Sequence, residues 1–284
     1  MLAVFADGHQ RTALGIDDLR LPIGDCNDGD RQGTRPTQTG LTLRGGCDRL
    51  WTTVMNQTPL TPAQLAAYID HTLLRPDATA AQIENLCADA RVHFFHSVCV
   101  NGVWVAYARD LLEEVDVKVA CVVGFPLGAM ASDAKRYETE TAVDEGAQEI
   151  DVVLNIGKLK DGADKFVLRE LRDVVEAADG RPVKVILETC LLTHDEKIRA
   201  CHLVVESGAQ FVKTSTGFAK GGATVEDVLL LRETVGQKFG VKASGGIRDA
   251  KTALLMMDAG ATRLGTSASV AIIKGLADAQ ADGY

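Results

Sequence analysis

Eight short runs of apolar and β-branched residues, set apart by longer stretches of helical period, constrain this chain more than any other feature. The runs are Tyr68–Leu74, Ser97–Val100, Val117–Gly124, Glu149–Asn155, Val183–Thr189, Phe211–Thr216, Gly240–Gly246 and Arg263–Ser267. Between them lie segments such as Thr79–Arg91, Ser132–Glu145 and Thr224–Lys238, whose apolar residues recur three or four apart, the spacing of one helix face. Thr61-Pro62, Thr79 and Thr193 stand where helices begin, since a threonine oxygen can accept from an otherwise unpaired amide. Gly146, Gly208 and Gly260 stand where helices stop. Eight strands, each followed by a helix through short connections, predict an α/β fold, a single-domain (β/α)8 TIM barrel over residues 58–284. A doubly wound open sheet is the rival. It requires a glycine fingerprint after its first strand, and Asp70-His71-Thr72-Leu73 has none.

The first 54 residues follow a different composition, with seven Asp and six Arg but no Lys and no Glu. They show no sustained period, so residues 1–57 are expected to be a disordered extension, or translation upstream of a start at Met55. The rest is ordinary for a globular chain: 46% hydrophobic and 24% charged residues suffice for a core without staples. A net charge of −9 disfavours nucleic acid and anionic membranes as partners, and requires a locally positive pocket for any anionic substrate. The seven cysteines form no C-x-x-C pair and the six histidines no H-E-x-x-H spacing, so no metal or other cofactor is expected. The longest apolar stretch, Val119 to Ala131, is broken by Gly124, Pro126 and Gly128, too short to span a bilayer. With no basic n-region at the start, a soluble cytoplasmic protein is expected.

A barrel holds its chemistry at the C-terminal ends of its strands. Four runs place a charge among apolar neighbours: Asp70, Asp151, Lys213 and Lys242. A lone buried ion costs at least ~3 kcal/mol, so such residues persist by pairing or by serving a reaction. A buried ion-pair network that only fixes the barrel accounts for any one of them, less well for all four. Lys184, opening its run in Pro182-Val183-Lys184, is read as a solvated surface lysine remote from the chemistry. Lys213 and Lys242 share the frame Val-Lys-x-Ser on consecutive runs, which aims both amines into one pocket. Burial and like charge both lower a lysine pKa, and a neutral amine is a nucleophile toward carbonyls. Asp151 can shuttle a proton and balance the remaining charge. Gly217, Gly245-Gly246 and Gly265-Thr266-Ser267 lie at the ends of the last three runs, where loops and a helix N-terminus form the usual phosphate site of a barrel.

Together the segments Ile69-Asp70-His71-Thr72-Leu73-Leu74, Val123–Gly128, Glu149–Val153, Val185–Thr189, Phe211-Val212-Lys213-Thr214-Ser215-Thr216-Gly217-Phe218 and Val241–Arg248 resemble the deoxyribose-phosphate aldolase family, in order, from about residue 60 to the C-terminus. The resemblance implies a class I aldolase that splits 2-deoxy-D-ribose 5-phosphate into D-glyceraldehyde 3-phosphate and acetaldehyde, with Lys213 forming the Schiff base. It implies Asp151 and Lys242 as a proton-transfer pair, Asp70 and Thr72 ordering the network, and Cys99 lining the pocket. Thr216, with the glycine-rich ends and Ser267, would contact substrate. Tyr284 matches a C-terminal tyrosine that serves the family as a proton shuttle, against the plainer reading of a frayed terminus. Ala268 departs from the Ser or Gly usual there, so one side-chain contact to phosphate is lost and the backbone N–H is left. A homodimer is the expected assembly. The competing functions are another imine-forming barrel lyase on a different sugar phosphate, and a non-catalytic barrel that binds sugar phosphates.

Overall fold

The computed structural model describes residues 60–281. The expected extension over residues 1–57 and Tyr284 lie outside the described residues. The strands are β1 (Ile69–Thr72), β2 (Ser97–Val100), β3 (Lys118–Val123), β4 (Glu149–Val153), β5 (Val183–Ile186), β6 (Phe211–Lys213), β7 (Gly240–Ser244) and β8 (Arg263–Thr266). They pair in parallel, each with the next, and β8 closes on β1. Each strand is shorter than or equal to its apolar run, because the last residues of most runs leave the ladder to build the mouth of the barrel.

Helices alternate with the strands: α1 (Pro62–Ala66), α2 (Ala80–His93), α3 (Val105–Leu112), α4 (Ser132–Asp144), α5 (Ile156–Lys160), α6 (Asp164–Ala177), α7 (His194–Ser207), α8 (Val225–Val235), α9 (Ala250–Asp258) and α10 (Ser269–Ala281). Their starts follow the threonines. Thr61 Oγ1 accepts from the Gln64 amide and Gln64 Oε1 from the Thr61 amide, and Thr193 and Glu196 repeat the exchange. Gly208 caps α7 in the left-handed conformation (φ 89°), where a side chain would be strained. Among the described residues no helix is long and apolar enough to cross a membrane.

Side-chain parity divides the barrel into two layers. Outward strand positions such as Ile69, Val98, Val119, Ile150, Val185, Val212, Val241 and Leu264 join the helices in one apolar core. Inward positions carry Asp70, Glu149, Asp151, Lys184, Lys213, Lys242 and Arg263, all buried. Register sets them side by side: Asp151 lies opposite Lys184, Ile186 opposite Lys213, Lys213 opposite Lys242 and Lys242 opposite Arg263.

Lys184 is therefore not a solvated surface residue. It is fully buried. Its position two residues before Ile186 gives it the parity of Lys213, and the stagger of a tilted barrel brings the start of β5 level with the middle of β4.

Candidate active site

The inward charges form one connected system. Lys213 Nζ and Lys242 Nζ both donate to Oδ2 of Asp151, each at 2.7 Å. Lys184 Nζ donates to Asp151 Oδ1 at 2.7 Å and lies 2.7 Å from Glu149 Oε2. Lys242 also bonds Asp70 Oδ2, while Asp70 Oδ1 accepts from Arg263 and Ser97, at 2.9 and 2.7 Å. Arg263 reaches Glu149 as well, at 2.9 Å, and His96 closes the lower edge against Glu149 Oε1 at 3.1 Å.

Charge counting gives this system its chemistry. Lys184, Lys213, Lys242 and Arg263 face three carboxylates, Asp70, Glu149 and Asp151, so one cation has no anion of its own. An unmatched buried charge costs several kcal/mol, and arginine does not release its proton. For Lys242, burial works against the charge but Asp151 and Asp70 outweigh it, and the pKa is raised. Lys184 is likewise raised: burial opposes its charge, and Asp151, with Asp70 and Glu149, prevails over it. Lys213 alone moves down, because burial outweighs its bond to Asp151 and the charge on Lys242 acts in the same direction. Both causes anticipated from sequence act in this direction, burial as the larger and crowding by the second lysine as the smaller. Burial favours a protonated Asp151, yet the three surrounding ammonium groups hold its carboxyl well below the usual carboxylate range.

Of the four inner cations only Lys213 lines the cavity at the barrel mouth, which has a volume of about 320 Å³. Thr72, Thr216, Gly217, Gly245, Gly246, Gly265 and Ser267 also stand on its wall. Asp70, Asp151 and Lys242 lie beneath it, fully buried. Cys99 is buried beside the ion system rather than on the wall; burial first, then Asp151, pushes its thiol up, so it is an unreactive thiol. Gly265 has no room for a side chain, since a Cβ there would come within 2.9 Å of Lys242 Cε. The Ala268 amide, left for phosphate by the sequence reading, instead donates to Thr266 Oγ1 at 3.0 Å within its own turn.

These features are those of a buried amine whose proton is destabilised although it bonds a carboxylate, on the wall of a pocket ringed by glycines. The DeoC/LacD family aldolase model matches residues 64–278. The chain belongs to this aldolase family. The deoxyribose-phosphate aldolase of Alkaliphilus oremlandii is 60% identical over 210 residues, covering 74% of this chain and 95% of that one. That of Bdellovibrio bacteriovorus is 57% identical over 212 residues, 75% of this chain and 96% of the relative. Among solved structures, the tetrameric deoxyribose phosphate aldolase of Aeropyrum pernix superposes with a TM-score of 0.75 at 33% identity, covering 83% of this chain and 99% of that one.

Several residues of this family aldolase's site escape a sequence reading. Arg75, Phe218 and Arg248 line the mouth, and Phe218 meets Phe125 edge-on with ring centroids 5.1 Å apart. Glu188 follows β5 in the left-handed region (φ 54°) and accepts from both the amide and the hydroxyl of Thr216. A non-glycine residue there is strained by about 1–3 kcal/mol, a conformation usually met at functional sites. Lys184, Glu149 and Arg263 each lie at the start of a strand, and their inward direction follows only from the register across neighbouring strands of the closed barrel.

Proposed function

We propose that this aldolase cleaves 2-deoxy-D-ribose 5-phosphate reversibly into D-glyceraldehyde 3-phosphate and acetaldehyde through a Schiff base on Lys213. The observation that carries this reading is the position of Lys213: it is the one inner cation on the pocket wall and the one whose proton is destabilised. The named relatives, which share more than half of their residues with this chain over nearly their whole length, support the choice of sugar.

The neutral amine of Lys213 adds to the C1 aldehyde of the open-chain sugar, and loss of water gives a protonated imine. Acetaldehyde carries away C1 and C2, so the bond that breaks is C2–C3. The C3 hydroxyl loses its proton and becomes the aldehyde of glyceraldehyde 3-phosphate. The bonding pair moves toward the iminium nitrogen to leave an enamine. Asp151, joined to both Lys213 and Lys242, supports these proton transfers, each typically worth about 10²–10⁴ in rate. Protonation of the enamine at C2 and hydrolysis then release acetaldehyde and restore the amine. The phosphate is held at the glycine-rich ends of β6, β7 and β8, with Arg248 supplying positive charge at the mouth.

A role in deoxyribose phosphate catabolism in the cytoplasm and assembly as a homo-oligomer, a dimer or a higher form, belong to the same reading; the tetramer of the Aeropyrum pernix protein supports the last. The test is product analysis. Incubation with 2-deoxyribose 5-phosphate should release acetaldehyde, detected by alcohol dehydrogenase and NADH. Absence of acetaldehyde, together with cleavage of a different sugar phosphate, would replace this substrate with another.

A further inference from the structure

Outward strand positions are apolar around the whole barrel with two exceptions, His71 on β1 and Thr266 on β8. They are neighbours, paired in register across the β1–β8 seam. Both are buried, and a polar group inside an apolar layer is tolerated only with partners. Thr266 Oγ1 donates to the Ile247 carbonyl at 2.7 Å and accepts from the Ala268 amide. Ser269 Oγ, at the first turn of α10, donates to the Thr266 carbonyl at 3.2 Å and lies 2.9 Å from His71 Nδ1. One hydrogen-bonded chain thus runs from the loop after β7, through the turn after β8, to β1. The cavity-facing side of the same segments is the wall formed by Gly245, Gly246, Gly265 and Ser267.

We propose that His71 is a positioning residue for the phosphate cradle, fixing the turn after β8 from behind through Ser269. The inference rests on the reading that the pocket takes a phosphorylated sugar. His71 itself faces Phe95 and Asp89 and is not on the wall of the mouth cavity; opposite parity separates it from Asp70 and the ion system. Its ring packs against Phe95, with centroids 5.1 Å apart, which holds the imidazole in one orientation. Burial, opposed by Asp89, takes the pKa down to about 4, so the ring is neutral where the enzyme works, and its Nδ1–H donates to Ser269 Oγ, whose own hydrogen goes to the Thr266 carbonyl.

The experiment compares 2-deoxyribose 5-phosphate with 2-deoxyribose as substrates of wild type, His71→Leu, His71→Asn and Ser269→Ala. His71→Leu keeps the volume and loses the bond, whereas an asparagine amide can take the place of Nδ1. The expected result is a KM for the phosphorylated sugar raised about three- to tenfold in His71→Leu and Ser269→Ala, the size of one lost hydrogen bond. kcat and the slower reaction of unphosphorylated 2-deoxyribose should be unchanged, and His71→Asn should recover most of the affinity. Equal losses on both substrates, or no change in KM, would overturn the proposal even if wild type strongly prefers the phosphorylated sugar. A wild type that does not distinguish the two sugars would instead remove the phosphate reading beneath it. Should His71→Leu fail to fold, Ser269→Ala reads the same bond from its other end.

Discussion

Lys213 and Lys242 donate to a single oxygen, Oδ2 of Asp151, over equal distances of 2.7 Å. The two nitrogens therefore lie within twice that distance of each other, yet their environments differ in sign. Lys242 has a second carboxylate, Asp70, and stays protonated; Lys213 has none and faces the cavity. One shared acceptor thus divides the roles, with a fixed cation below and a releasable proton above.

Removing the fixed cation should be visible in pH dependence. In Lys242→Leu the like charge that helps to lower the Lys213 pKa is gone, so that pKa rises. A neutral amine is then present only at higher pH, and the acid limb of kcat/KM should move upward along with a large loss of turnover. An acid limb that stays in place would show that the two amines are not coupled.

Lys184→Met tests the charge count from below. With three cations left against three carboxylates, Lys213 is expected to keep its proton, and the acid limb should again shift to higher pH. Glu149 and Asp151 lose a partner, so denaturant unfolding should show a loss of about 3–5 kcal/mol. A stable variant with a wild-type pH profile would contradict the balance proposed for the barrel interior.

A second buried pair lies outside the site and serves as a stability control. Lys135 on α4 and Glu170 on α6 are both fully buried, 2.6 Å apart, with Lys135 also donating to the Val153 carbonyl at 2.8 Å. Lys135→Met should destabilise by about 3–5 kcal/mol, because Glu170 is left charged and unpaired, whereas Lys135→Met with Glu170→Leu should recover much of that loss. Equal destabilisation in the single and double variants, measured by urea unfolding, would speak against an ionic pair.

Gly222 holds the loop after β6 against the loop after β7. A Cβ there would fall 2.4 Å from the Gly245 carbonyl oxygen, which also accepts from the Ala223 amide at 2.9 Å. Gly222→Ala should push the two loops apart and lower kcat/KM by roughly 10- to 100-fold with little change in global stability, since ångström-scale misplacement is costly in a preorganised site. Steady-state kinetics beside a thermal melt separate the two effects.

The barrel was legible because its signals are local. Threonine caps, helix-stopping glycines and eight apolar runs each report on neighbouring residues, and the structure follows them to within a few residues. The paired frames around Lys213 and Lys242 were legible for the same reason, since equal motifs on adjacent strands imply equal register. Lys184 was not, because its exposure depends on strand tilt and closure, which no short window contains. Glu149 and Arg263 are similar: each looks like a polar residue opening a strand, and only the closed barrel turns them inward onto Asp70 and Lys184. His71 and Ser269 are 198 positions apart, so their contact could be seen only once β8 was known to close on β1.

The central claim, that Lys213 is the amine that becomes covalently bound, is tested most directly by borohydride reduction in the presence of 2-deoxyribose 5-phosphate or acetaldehyde, followed by peptide mass mapping. The account predicts one stable adduct, on the peptide carrying Lys213, and none in Lys213→Ala under conditions where that variant remains folded. An adduct on Lys242 or Lys184, or turnover that persists in Lys213→Ala, would contradict it.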